Sequence, residues 1–129
     1  MKRRTAREKA IQTLYQVELA KTDWVEALDN VLDDAEPDTY LDNVIHGISQ
    51  NLIEIDSVLK PHLNKWTIDR LPYVDRAILR LAVYELKYRE DVPNEVAINE
   101  AVELAKIYGT EKSSAFINGV LSSVAKQGV

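Results

Sequence analysis

Cysteine is absent from this chain of 129 residues, and glycine and histidine are scarce. Without cysteine the chain can form no disulfide, thiolate metal site or thiol nucleophile, and it suits a reducing compartment. The four glycines are scattered and form no phosphate-binding loop. No apolar run approaches about 18 residues, and the amino terminus is charged without an apolar stretch behind it. We therefore expect a cytoplasmic protein with no membrane association.

Motifs for catalysis and metal binding are also missing. His46 and His62 are the only histidines, and neither belongs to an HExxH motif or accompanies a nucleophile elbow. We interpret both as packing or surface residues, with His46 the more buried of the two. The acidic stretch at residues 33–38 lacks the glycine and the final glutamate of a calcium-binding loop. We expect no enzymatic activity, no metal and no cofactor.

The charged residues are distributed unevenly. Residues 1–9 contain five cations and one acid, whereas residues 18–58 contain eleven acids and one lysine, a net charge of −10. The net charge of −5 for the whole chain conceals this separation. A polyanion would therefore meet one end of the molecule only.

Apolar residues recur at helical spacing along the whole chain, and no alternating β-type run occurs. The length and the 46% of apolar residues predict one domain over residues 1–129 with a sizeable core. The first helix spans residues 3–21, the second follows an N-cap at Asp23 and buries Ala35, and the third follows Thr39 or Asp38 and continues to Pro61. A central helix starts at Asp69 or at Leu71-Pro72 and continues to Tyr88, another follows a cap at Asn94 and ends at Gly109, and Thr110 opens the last.

The central helix is the element around which we expect the others to pack. Its apolar residues occur every three or four positions, and three more widen the stripe beyond one face (Leu71, Val74, Ala77, Ile78, Leu79, Leu81, Ala82, Val83 and Leu86). Other helices should therefore surround it. Arg76 and Arg80 lie on the same helix and need another explanation. Gly47 and Gly119 are predicted points of close contact between helices.

The first helix combines an apolar stripe with basic residues at its start. Arg3 and Arg7 fall on one line with Ala10 and Leu14, so the arginines should project from the bundle end on a structured base. Cations in a first helical turn oppose the helix dipole, which favours a functional reason for them. The alternative is a solvated, frayed terminus.

Three motifs in order make the chain resemble the NusB family of bacterial transcription antitermination factors. They are REKAIQTLY at residues 7–15, VDRAILRLAVYEL at residues 74–86, and VAINEAVELAK at residues 96–106 followed by Tyr108-Gly109 and FINGVL at residues 116–121. Only the acidic region at residues 23–38 carries no motif of the family. The resemblance implies an all-α fold of about seven helices in two small packed bundles, and a non-catalytic role.

Members of this family pair with the NusE-type small-subunit ribosomal protein, bind single-stranded boxA-type RNA in ribosomal leader transcripts, and join the RNA polymerase antitermination complex. The resemblance therefore implies an RNA side and a protein side. The RNA side would comprise Arg3, Arg4, Arg7, Gln12, Lys112, Ser113 and Phe116. The protein side would comprise Tyr15, Asp75, Arg76 and Glu85, and a partner would explain Arg76. We hypothesise that the three arginines bind phosphates and that Phe116 stacks on a base.

Two other interpretations stay open. The fold also occurs joined to ribosomal RNA methyltransferases, although no such segment follows residue 129 and a stand-alone factor is expected. A helical module that binds only proteins, with its basic end against an acidic partner, would show the same charge pattern. Oligomeric state is not predicted.

Overall fold

The computed structural model describes residues 1–129, which form seven α-helices and no β-strand. Two 3₁₀ turns, Lys60–His62 and Ile68–Arg70, lie between the fourth and fifth helices. The prediction of an all-α fold with about seven helices is confirmed. The helices are α1 (Arg3–Leu19), α2 (Trp24–Leu32), α3 (Thr39–Gln50), α4 (Leu52–Leu59), α5 (Tyr73–Tyr88), α6 (Asn94–Tyr108) and α7 (Ser113–Gln127).

Helix α5 lies at the centre, as the sequence predicts. It packs against α1, α3, α4, α6 and α7. Every residue from Asp75 to Glu85 is buried, including the charged ones. The wide apolar stripe is the cause, because a helix that is apolar on several sides must be covered on several sides.

The remaining helices form two groups around α5 that share one core. Helices α2 and α3 pack with α1 on one side, whereas α4, α6 and α7 cover the other. The buried apolar side chains of both groups form a single cluster of 27 residues. The basic start of α1 therefore stands on a packed helix, because Ala6, Ala10 and Leu14 anchor it in this core.

Two helices begin at aspartate N-caps. The Asp23 carboxylate accepts a hydrogen bond from the N–H of Val25 at 3.2 Å, and Asp38 accepts one from the N–H of Leu41 at 2.9 Å. Asp23 is the predicted cap of α2, and of the two predicted candidates for α3 it is Asp38 that makes the bond. Each satisfies a backbone donor that a first helical turn leaves unpaired.

The predicted starts of the last two helices are wrong. Asn94 is the first residue of α6 and makes no capping bond, since Pro93 occupies the position before it. Helix α7 begins at Ser113, because Thr110 forms a turn whose N–H donates to Ser113 Oγ at 3.0 Å.

The predicted third helix is two helices. Asn51 interrupts it with φ −117° and ψ 22°, and its side-chain amide donates to the carbonyl of Gly47 at 2.7 Å. An asparagine that bonds to a nearby backbone carbonyl competes with the helical ladder. Ile55 and Leu59 stay buried beyond the break, so the apolar pattern continues through it and conceals it.

Three predictions about single residues are also wrong. His46 is exposed and His62 is the more buried histidine. Ala35 is exposed because α2 already ends at Leu32, after which Asp33 has the left-handed φ of 47°. A Cβ on Gly119 would meet no atom within 4 Å, so this glycine is not a contact point.

Candidate nucleic-acid interface

The start of α1 presents cations at one end of the molecule. Lys2, Arg3 and Arg4 are exposed, and the first turn of α1 contains no acid. The guanidinium carbon of Arg3 lies 4.2 Å from the centroid of the Tyr40 ring, within the range of a cation–π contact. This contact orients Arg3 while leaving its charge accessible to solvent.

Arg4 is held by a carboxylate of another helix. Its Nε and Nη2 donate to Oε1 and Oε2 of Glu100 on α6, at 3.1 and 2.6 Å. The hydrogen bond from Arg4 is the main cause that lowers the pKa of Glu100. The Arg4 side chain keeps 57% of its surface exposed, so it can meet a phosphate at the same time.

Arg7 does not project from the bundle end, and that expectation is wrong. Its side chain is only 5% exposed. Its Nε and Nη2 donate to the two carboxylate oxygens of Glu85 at 2.9 Å each, and its Nη1 lies 3.4 Å from Glu100 Oε1. Glu85, at 1% exposure, is therefore neutralised inside the protein.

Tyr40 completes this buried cluster, although no motif in the sequence marks it as a site residue. Its hydroxyl donates to Glu85 Oε2 at 3.0 Å, and its ring lies beneath Arg3. Burial and the Glu85 carboxylate raise the pKa of Tyr40, so the phenol stays a neutral donor. Tyr40 thus joins a buried ion pair to an exposed arginine. The sequence offered one signal for Tyr40: it lies between the predicted cap of α3 and the first apolar residue of that helix.

Asp75 and Ser113 contact each other instead of facing a partner. Ser113 Oγ donates to Asp75 Oδ1 at 2.9 Å, and both residues are buried. Burial raises the pKa of Asp75, and the hydrogen bond from Ser113 opposes that shift. This bond links the start of α5 to the start of α7. The expectation that these side chains are available to a protein and to RNA is corrected accordingly.

Arg76 is bonded within the fold, which gives its position on α5 an intramolecular reason. Its Nη1 donates to Glu18 at 3.1 Å, and its Nη2 donates to the carbonyls of Asp69 and Leu71 at 2.9 and 3.2 Å. The guanidinium lies 5.1 Å from the centroid of the Tyr73 ring. The side chain is 10% exposed.

Glu18 explains the second arginine of α5. Its other carboxylate oxygen accepts from Arg80, which also donates to both oxygens of Asp56 at 2.9 and 2.8 Å. Burial raises the pKa of Glu18, but the hydrogen bonds and charges of Arg80 and Arg76 outweigh burial, and the net pKa is lowered. Arg80 thus links α5 to α1 through Glu18 and to α4 through Asp56.

A groove beside α1 brings together one residue predicted to bind RNA and one predicted to bind the protein partner. Gln12 and Tyr15 line it, and both are exposed. Its volume is about 480 Å³. Tyr108 closes one edge, 39% exposed, with its hydroxyl donating to Glu8 at 2.8 Å. Tyr15 packs edge-on against Tyr73 with ring centroids 6.0 Å apart, so the groove offers aromatic faces and amide hydrogen-bonding groups.

The start of α7 presents one further cation and one aromatic ring. Lys112 is exposed, and Phe116 is partly buried against the core. The structure thus leaves six predicted residues accessible, namely Arg3, Arg4, Gln12, Tyr15, Lys112 and Phe116. It buries the other five, Arg7, Asp75, Arg76, Glu85 and Ser113.

No three His, Cys, Asp or Glu side chains converge closely enough to hold a metal ion. No helix has both the length and the apolar content needed to cross a bilayer.

Comparison with known proteins decides the family. The model of the NusB family matches residues 4–126. The chain belongs to the NusB family. A transcription antitermination protein NusB of Listeria monocytogenes is 51% identical over 127 residues, covering 98% of each chain. Family membership at this identity makes the chain a transcription antitermination factor.

Solved structures of NusB proteins have the same fold. T. maritima NusB superposes with a TM-score of 0.91 at 40% identity, covering 99% of this chain and 93% of that one. The NusB chain in a crystal structure of antitermination factors NusB and NusE in complex with dsRNA has a TM-score of 0.86 at 32% identity. That match covers 97% of this chain and 96% of the other.

Proposed function

We propose that this NusB-family protein works in the cytoplasm without catalysis, as an RNA-binding subunit of the RNA polymerase antitermination complex. It binds boxA-type leader RNA jointly with a NusE-type ribosomal protein. The observation that carries the proposal is the set of exposed cations on a rigid base at the start of α1, on a chain whose remainder is acidic. The solved complex of a relative with NusE and dsRNA supports both kinds of partner.

The accessible residues divide the work of RNA binding. Arg3 and Arg4, with Lys2 and Lys112, supply charge for phosphates, which gives affinity without sequence choice. Gln12 and the tyrosines of the α1 groove offer hydrogen bonds and aromatic faces to exposed bases. We place Phe116 among the stacking residues and Tyr15 where RNA and protein partner meet.

The buried residues contact the surface residues and hold them in position. Arg7 and Glu85 hold the Tyr40 ring, and the ring holds Arg3. Asp75 fixes Ser113 at the start of α7, beside Lys112. We therefore propose that these side chains position the RNA-binding cations, because groups locked by packing and hydrogen bonds lose less conformational entropy on binding.

The histidines give catalysis no support. His62 Nδ1 lies 2.7 Å from Ser123 Oγ, which resembles a nucleophile and its base. Its second nitrogen, Nε2, lies 2.6 Å from the Gln127 side-chain oxygen, where a serine hydrolase has a carboxylate. The pair lacks the negative group that stabilises an imidazolium during acyl transfer.

Binding of labelled single-stranded boxA-type RNA, with and without the NusE-type protein, tests the proposal. A scrambled strand is the control, and a duplex is included because the relative's complex contains dsRNA. We expect affinity and discrimination against the scrambled strand to rise together when the partner is added. If the partner binds and no RNA preference appears, the RNA function is overturned and a module that binds only proteins replaces it.

A further inference from the structure

A second groove lies between α2 and α3, and the proposed RNA function does not use it. Its volume is about 340 Å³. Trp24, Val25 and Leu28 of α2 and Ile45 of α3 form its apolar part. Val25 is 69% exposed, so apolar surface here is open to solvent. The polar residues that line it are Asp42, Asn43, His46 and Ser49.

This groove is lined by one acid and by no lysine or arginine. Lys87 and Arg89 line the neighbouring depression that shares Asn43 and His46, and both are already paired there, with Glu54 and Asp91. No lysine or arginine occurs between Lys21 and Lys60. Several carboxylates elsewhere in the fold, such as Glu18, Glu85 and Glu100, are in ion pairs. None of the eight acids between residues 23 and 42 forms an ion pair: Asp23, Glu26, Asp29, Asp33, Asp34, Glu36, Asp38 and Asp42.

The charge determines which occupant fits. Unpaired carboxylates repel RNA and anionic lipid, so neither suits this face. A cationic protein segment gains from the same carboxylates, and its apolar side chains would cover the exposed valine and the tryptophan. We propose that the α2–α3 groove binds a lysine- or arginine-rich amphipathic segment of a protein partner.

The geometry assigns a place to each face of that segment. Its apolar face lies on Trp24, Val25 and Leu28, at the helical spacing that suits a helix in a groove. Its cations meet Asp42 on α3 and the exposed Glu26 on α2. The groove shares no residue with the proposed RNA site. The interface therefore stands or falls independently of the RNA function.

Binding of a fluorescein-labelled amphipathic helical peptide of lysine and leucine tests the proposal. The same residues in scrambled order make the control peptide. We expect the amphipathic peptide to bind the intact protein, and to bind it more weakly at higher salt. We expect the variant Val25→Lys with Asp42→Lys to weaken binding about tenfold or more, because both changes place like charge beside the peptide.

A matched variant checks that position and not net charge is responsible. Ile53→Lys with Asp69→Lys makes the same charge change at two exposed residues outside the groove. This variant should bind the peptide about tenfold more tightly than Val25→Lys with Asp42→Lys does. Chemical-shift mapping on the unaltered protein gives a readout that needs no variant. The largest changes should fall on Val25, Ile45 and His46.

Three results would overturn the proposal. One is equal affinity for the amphipathic and the scrambled peptide. Another is shift changes concentrated elsewhere, for example around Ile53 and Trp66. The third is self-association of the unaltered protein in sedimentation that Val25→Lys with Asp42→Lys abolishes, since this would assign the groove to a second copy of the chain.

Discussion

At the residue scale, Arg7 shows how a basic motif can serve the fold before it serves RNA. We expect Arg7→Ala to lower the free energy of unfolding by about 3–5 kcal/mol, because Glu85 would be left buried and unpaired. Urea denaturation measures this. A variant as stable as the parent that had lost RNA binding would contradict it and make Arg7 a direct RNA contact.

Asp75 provides a test by pH. Burial raises its pKa in the folded state, so the folded protein binds the Asp75 proton more tightly than the unfolded chain does. The stability that this group contributes is present at low pH and is lost as the pH rises through the folded pKa. We expect Asp75→Asn to increase the free energy of unfolding at pH 7, while its amide oxygen still accepts from Ser113.

The gain from Asp75→Asn should disappear by about pH 3, below the ordinary carboxyl pKa of about 3.9. Denaturation of both proteins across this range isolates the effect, since the other carboxylates titrate in each. Lower stability of the variant at pH 7 would instead show that the N-terminal dipoles of α5 and α7 outweigh the cost of burying the charge.

At the element scale, the crossing of α3 and α5 depends on a glycine. A Cβ on Gly47 would lie 2.7 Å from Cζ and 2.8 Å from the hydroxyl oxygen of Tyr84, which is itself buried. The overlap costs about 1–3 kcal/mol, and the better helix propensity of alanine returns about 1. We expect Gly47→Ala to destabilise the protein by up to about 2 kcal/mol in thermal or urea denaturation.

Gly119→Ala is the matched control. Gly119 lies within α7, and a Cβ there meets nothing within 4 Å. Alanine has the better helix propensity and causes no overlap here, so this change should stabilise the protein by up to about 1 kcal/mol. If Gly47→Ala stabilised the protein equally, the Tyr84 ring would have to move aside without cost.

At the scale of the whole molecule, the separation of charge predicts how RNA binding responds to salt. About four accessible cations face the RNA in our proposal (Lys2, Arg3, Arg4 and Lys112). The logarithm of affinity should then fall with a slope of about −3 against the logarithm of salt concentration. Arg3→Ala or Arg4→Ala should each flatten the slope by about 0.7.

Lys126→Ala is the control for these slopes, because it removes an exposed cation at the far end of α7. Its slope should equal that of the unaltered protein. Phe116→Ala should weaken binding by about 1–3 kcal/mol with little change of slope, as expected for a stacked base. A slope that responds to Lys126 as much as to Arg3 would remove the basic end of α1 from the RNA site.

The sequence predicted the helical fold correctly and the state of individual charges poorly. The stripe from Leu71 to Leu86 required a surrounded helix, and the structure surrounds it. The break at Asn51 escaped detection, because a single side-chain bond to Gly47 interrupts the helix without disturbing the apolar rhythm. Periodicity records which side of a helix is apolar, and it contains no information about which side-chain bonds form.

The helical class, the central role of α5, the basic end and the acidic remainder were determined by the sequence alone, because they follow from local spacing and from counts of charge. The tertiary structure decided which charges stay available. Arg7 and Glu85 are 78 positions apart in the chain, and Arg80 and Glu18 are 62 apart. Such pairs form only when packing brings the helices together. The burial that results makes them structural, and leaves only the arginines nearer the terminus accessible to the RNA of our proposal.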